Sequence, residues 1–97
     1  MDEAAQQVRE LIDQVGPHHY DVIPVGDDLV IIEFTTVLGM PSDVELAKLE
    51  NHGDGTWTLH VRSTDDEWEL FFDVPARQPL EVILTELRDD PSGYFWG

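Results

Sequence analysis

The stretch Thr56–Val74, T-W-T-L-H-V-R-S-T-D-D-E-W-E-L-F-F-D-V, constrains the fold more than any other part of the chain. Trp57, Leu59 and Val61 alternate with Thr58, His60 and Arg62, the pattern of a strand with one apolar face. Trp68, Leu70, Phe72 and Val74 alternate in the same way, and Ser63-Thr64-Asp65-Asp66 between the two runs is a polar turn cluster. The spacing predicts two paired strands that present both apolar sets to one core, with Trp57 and Trp68 buried. The remaining segments are expected to cover that face.

Those segments supply two helices and further strands. Ala4, Val8, Leu11, Ile12 and Val15 recur at helical spacing, which predicts a helix over 3–15, ended by Gly16-Pro17. Tyr20–Val25 and Asp28–Thr36 read as a hairpin around Gly26-Asp27, with Val30, Ile32 and Phe34 inward. Pro24 cannot donate to a ladder, so the first of these strands belongs at an edge. Thr36–Ser42 reads as a loop carrying Val37, Leu38 and Met40, either a flap over one end of the core or an exposed apolar contact. Asp43–Glu50 has helical propensity and a capping-box-like Ser42…Glu45. It is nevertheless expected to be a strand, with Ala47 and Leu49 inward, because the strand starting at Thr56 needs a neighbour.

Pro79 is placed to open a second helix, with Leu80, Ile83, Leu84 and Leu87 as its apolar stripe and Pro91 beyond its end. Tyr94-Phe95-Trp96 near the C-terminus are costly to expose and are expected to dock on the core. The fold class expected is α+β. It comprises an N-terminal helix, an antiparallel meander of four to five strands and a C-terminal helix, both helices on one face, in a single domain over residues 1–97.

Several of these residues occur together in a known kind of chain. W-T-L-H-V-R, E-W-E-L-F-F-D, P-L-E-V-I-L-T-E-L and the ending D-P-S-G-Y-F-W-G resemble an uncharacterised bacterial domain family with a W-x-L-Y strand, a second Trp strand and a terminal D-P-x-G-x-F-W-G. The resemblance covers roughly residues 28–97, and its ending is the most specific part. It implies that Val44–Glu50 is a strand. The chain departs from it after Glu33, where Thr35-Thr36-Val37 replaces an Arg-Pro pair. The resemblance implies a fold and no activity.

Charge is the strongest functional cue. Twenty-one acids against five bases give a net charge of −16. Residues 1–50 hold 11 acids and 2 bases, and residues 51–97 hold 10 and 3, so the charge is spread along the chain. A surface of this kind repels nucleic acid and anionic membrane and favours basic partners. The sequence has no cysteine, no apolar run of spanning length and an acidic start unlike a signal peptide. The expected location is cytoplasmic.

No sequence pattern demands a chemistry. His18, His19, His52 and His60 lack helical zinc spacing, and no P-loop, nucleophile elbow or dinucleotide fingerprint is present. His52 beside Asp54 is at most a weak metal position. The helix–strands–helix order is that of double-stranded-RNA-binding domains, but five bases are too few for that role.

The sequence therefore predicts a non-enzymatic module, without cofactor or metal, that binds a basic protein surface. In its extreme form it is a nucleic-acid mimic that inhibits a DNA- or RNA-binding protein. The candidate surface is Asp65, Asp66 and Glu67 at the hairpin tip with Glu81, Glu86, Asp89 and Asp90 on the second helix. Asp89 and Asp90 lie at the helix end where the dipole disfavours anions, and such local costs often mark function. The apolar loop at Val37, Leu38 and Met40 is the alternative contact, and either a monomer or a homodimer is compatible. A competing reading is a small accessory domain whose acidity is adaptation to salt or genome composition. A weak divalent-cation site is a third.

Overall fold

The computed structural model describes residues 3–15, 20–62, 65 and 67–95. Helix α1 (Glu3–Val15) precedes strands β1 (Tyr20–Val25), β2 (Asp28–Val37), β3 (Met40–Asn51), β4 (Thr56–Arg62), β5 (Trp68–Leu70) and β6 (Gln78–Pro79), and helix α2 (Leu80–Asp89) follows. The order β1-β2-β3-β4-β5 is an antiparallel meander, and the two-residue β6 also pairs with β4. Both helices lie on one face. Val8, Leu11 and Ile12 of α1 and Ile83 and Leu87 of α2 join Val22, Leu29, Ile31, Ala47, Leu49, Trp57, Leu59 and Val61 in one core. Leu80 and Leu84 pack on its margin. The expected α+β layering is therefore present, with one short strand more than anticipated. Pro24 sits on β1, the edge strand.

The strand over 43–50 is real and longer than expected. It occupies the rung beside β4, with Leu49 opposite Leu59 and Ala47 opposite Val61. Neighbouring strands override its helical propensity, since the alternation of Ala47 and Leu49 buries both in the sheet. The register with β2 shifts between Ile31 and Ile32: Ile31 faces Ala47, and Ile32 faces Glu45. This bulge leaves Leu46 without a rung partner, and Leu46 packs against the core beside Ala47.

The inward faces expected of β2 and β5 are corrected. In β2 the core residues are Leu29 and Ile31, while Val30 and Ile32 are buried on the opposite face and Phe34 is exposed. Four consecutive apolar residues satisfy both parities, so alternation cannot choose between them. Trp68 is opposite Arg62 and stands on the face away from the helices, its ring 4.6 Å from the Arg62 guanidinium. Leu70 and Phe72 are exposed, and Phe71 takes the core position. The cause is the brevity of β5: the chain turns out of the sheet at Phe72-Asp73, which ends the alternation one residue early.

Of the aromatic tail, Phe95 docks as expected and Tyr94 stays exposed. Phe95 is buried, and its ring centroid lies 5.0 Å from that of Phe71, with Tyr94 at 5.4 Å from Phe71. Trp96, His18, His19 and Asp66 lie outside the described residues, as does the Val15 side chain.

The expected loop at Thr36–Ser42 is instead the end of a long hairpin. β2 and β3 remain paired out to Val37 and Met40, joined by Leu38-Gly39. The positive φ values of Leu38 (53°) and Gly39 (81°) give the two-residue turn that matches strand twist. β1 accompanies β2 only as far as Tyr20 opposite Glu33, and β4 accompanies β3 only as far as Val61 opposite Ala47. Residues 34–44 therefore form a two-stranded arm beyond the sheet and cannot be a flap over the core.

Candidate functional site

Five cations decide what the acids face. All five are held by carboxylates. Arg9 pairs with Asp21 at 3.2 Å and donates to the Val22 carbonyl, tying α1 to β1. Lys48 lies 3.8 Å from Asp28, and Arg62 bonds Glu45, its neighbour across the sheet. Arg77 is 3.7 Å from Asp54, and Arg88 is 3.3 Å from Asp89. His60, on the same outer face as Arg62, bonds Glu50 at 2.9 Å, and this bond is the main cause holding Glu50 below its ordinary carboxyl pKa.

The β3–β4 turn and the return to α2 are fixed by small polar side chains. Asp54 accepts from the Thr56 hydroxyl at 2.6 Å and its amide at 3.0 Å, and the hydroxyl bond chiefly lowers the Asp54 pKa. The Thr58 hydroxyl, buried in β4, accepts from the Arg77 amide at 3.1 Å and lies 2.6 Å from His52 Nε2. Thus His52 is engaged with Thr58, and Arg77 is held at φ 59° beside Asp54. Among the described residues no group of three or more His, Asp or Glu could hold a metal ion.

The second helix gathers part of the predicted acidic surface. Burial, first, and the neighbouring Asp73 carboxyl, second, raise the Glu86 carboxyl above its ordinary range, with Asp90 and Asp89 adding to the shift. Glu86 Oε2 is buried without a hydrogen-bond partner. The structure therefore brings together Glu86, Asp89 and Asp90 and adds Asp73, which sequence spacing could not connect to the helix. Glu81 shares with Glu86 an open depression of about 390 Å³ on the outer side of α2, lined also by Val82 and Thr85. Asp65 and Glu67 are exposed at the β4–β5 turn.

Asp90 has a structural occupation that the sequence did not reveal. It ends α2 in the left-handed region, donates its amide to the Glu86 carbonyl at 2.8 Å, and accepts the Phe95 amide on Oδ1 at 3.1 Å. Its place against the helix dipole is thus offset by its role in turning the chain and pinning the aromatic tail. Asp89 is similarly relieved by Arg88. The dipole conflict therefore does not single out these two as binding residues.

The apolar alternative is fully displayed. Leu38 is 98% exposed at the tip of the arm and Met40 69%, with Phe34 at 46% and Val44 at 43% along its strands. Val37 pairs with Met40, but its side chain lies outside the described residues. A family model described as "Domain of unknown function (DUF3024)" matches residues 2–97.

The chain belongs to the DUF3024 family.

No curated protein and no solved structure matches it. Membership of DUF3024 agrees with the expectation of an uncharacterised family, and it carries no activity with it. No helix of this DUF3024 chain, among the described residues, is long and apolar enough to cross a membrane.

Proposed function

We propose that this DUF3024 domain is a non-catalytic interaction module whose acidic surface binds a basic protein, competing in the limiting case with the nucleic acid that such a protein handles. One observation supports the reading above the others. Each Lys and Arg is already matched by a carboxylate of the same chain, which leaves the excess of acids to set the field that an approaching molecule meets. A cationic partner gains from that field and an anionic one is repelled. The exposed members of the candidate surface are Asp65 and Glu67 at the β4–β5 turn and Glu81 and Asp89 on α2. Glu86 lies deeper and Asp90 is committed to the tail. An arriving Lys or Arg near Glu86 would favour its charged form and so relieve the burden of Asp73.

The test is capture of partners followed by direct titration of a purified one. A variant with Asp65, Glu67, Glu81 and Asp89 changed to Asn or Gln keeps the Asp90 cap. The native chain is expected to bind a basic protein, with affinity falling about tenfold or more as salt rises from low to high ionic strength. The variant should bind more weakly and with a flatter salt slope. Equal affinity and equal slope in the two proteins would remove the acidic surface from consideration.

A further inference from the structure

We propose that the β2–β3 arm is the surface on which a second copy of this chain docks, two arms meeting about a two-fold axis. Three observations carry this. The first is Leu38. A leucine in the left-handed region is strained, and this one is 98% exposed. Asparagine or glycine would make the same turn more readily and expose no apolar surface. The position therefore holds a residue that is poor for the isolated chain on both counts, which is intelligible if the side chain is covered in an assembly.

The second observation is charge. Residues 34–42 form the longest run in the sequence without Asp, Glu, Lys or Arg, in a chain of net −16. Two such chains repel wherever their bodies face each other. At the outer part of the arm, residues 34–42, they can touch through uncharged residues while the acidic bodies stay apart. A basic partner, by contrast, gains nothing electrostatically from this segment.

The third is the edge of the sheet. Beyond Glu33, β2 has no neighbour on its outer side among the described residues. The segment Phe34-Thr35-Thr36-Val37 there is β-branched or aromatic, uncharged and free of proline, the kind of edge that pairs with another strand. The β3 side is blunted by Pro41, which lacks an N–H. An antiparallel pairing of β2 with its own copy is self-complementary, as a two-fold interface requires. The exposed apolar side chains Phe34, Leu38, Met40 and Val44 are few, so the association is weak and concentration-dependent.

Sedimentation velocity over a concentration series, at about 0.05 M and about 1 M NaCl, tests the proposal, because salt screens the repulsion between the bodies. The native chain should move toward dimer mass as protein and salt rise, the opposite of the salt response expected with a basic partner. The double variant Leu38→Asn with Met40→Thr should stay at monomer mass, its dissociation constant at least about tenfold weaker, with a melting temperature equal to or above the native one. Thr36→Lys, which places a charge on the β2 edge, should do the same and decides the matter if the double variant misfolds. A native chain that is monomeric throughout overturns the proposal, as does dimerisation that persists in both variants. So does co-sedimentation with neutral phosphatidylcholine vesicles in place of self-association.

Discussion

Glu86 of helix α2 faces Asp73 of the turn after β5, and after burial this neighbouring carboxyl is the main cause that raises the Glu86 pKa, because a proton on Glu86 can be shared with Asp73. The pair joins two segments that each carry further acids, and it sits where the helix presents its C-terminal, electronegative end.

The stability of the chain should respond to pH through this pair. The unperturbed carboxyl value is 4.5, and the folded value of Glu86 is raised. Between the two, the folded state holds more protons than the unfolded state, so stability falls as pH rises through that window. Below it the penalty is absent. Glu86→Gln is expected to raise the urea midpoint at neutral pH and to have little effect below about pH 4, where the native side chain is also uncharged. An equal effect at both pH values would assign the change to shape and not to charge.

Asp90 separates cap from charge. Asp90→Asn keeps an acceptor for the Phe95 amide and tolerates the left-handed conformation, so stability should stay within about 0.5 kcal/mol. Asp90→Ala loses both features and should cost about 1–2 kcal/mol by chemical denaturation. If Ala and Asn behave alike, the bond to the tail contributes nothing.

The second helix should show graded dependence on its apolar stripe. Leu87 and Ile83 are fully buried, and Leu84 is only half-buried. Leu87→Ala is expected to cost about 2–5 kcal/mol, and Leu84→Ala clearly less. Equal losses in urea melts would mean that α2 is rotated about its axis relative to this packing.

Added salt should stabilise the fold. The net charge of −16 repels itself, and raising NaCl from about 0.1 M to about 1 M shortens the screening length from about 10 Å to about 3 Å. The five cation–carboxylate pairs are at least partly exposed, so their loss to screening is small by comparison. A urea midpoint that fell with salt would show that these pairs outweigh the general repulsion.

The sequence carried the layering but not the parity. Strand β4 alternates cleanly, and Trp57, Leu59 and Val61 are buried as that pattern requires. Leu29-Val30-Ile31-Ile32 is apolar at every position, so nothing local says which pair meets the helices. The β5 alternation was misleading because pairing stops at Leu70, and Phe71 then turns inward to meet Phe95. At the candidate site, Glu86, Asp89 and Asp90 fall on one helix, and their common placement is legible from the sequence. Their neighbour Asp73 comes from another segment and becomes visible only once the chain is folded. The same holds for Asp90 and the tail amide. In sequence the arm reads as a loop because Gly39 and Pro41 punctuate it, although Leu38-Gly39 is short enough to be a turn.

Beyond Glu45, which Arg62 of β4 still holds, the hairpin answers to no other strand among the described residues. Its length is therefore free to change by trimming or adding matched rungs, one residue from each strand, without disturbing the core. Each rung moves the tip by about 3.4 Å and turns every side chain beyond it to the opposite side. Lengthening or shortening by two rungs restores the original facing. DUF3024 chains that differ in the reach of this hairpin should thus differ by even steps wherever the tip does the same work, and an odd step would mark a tip put to another use.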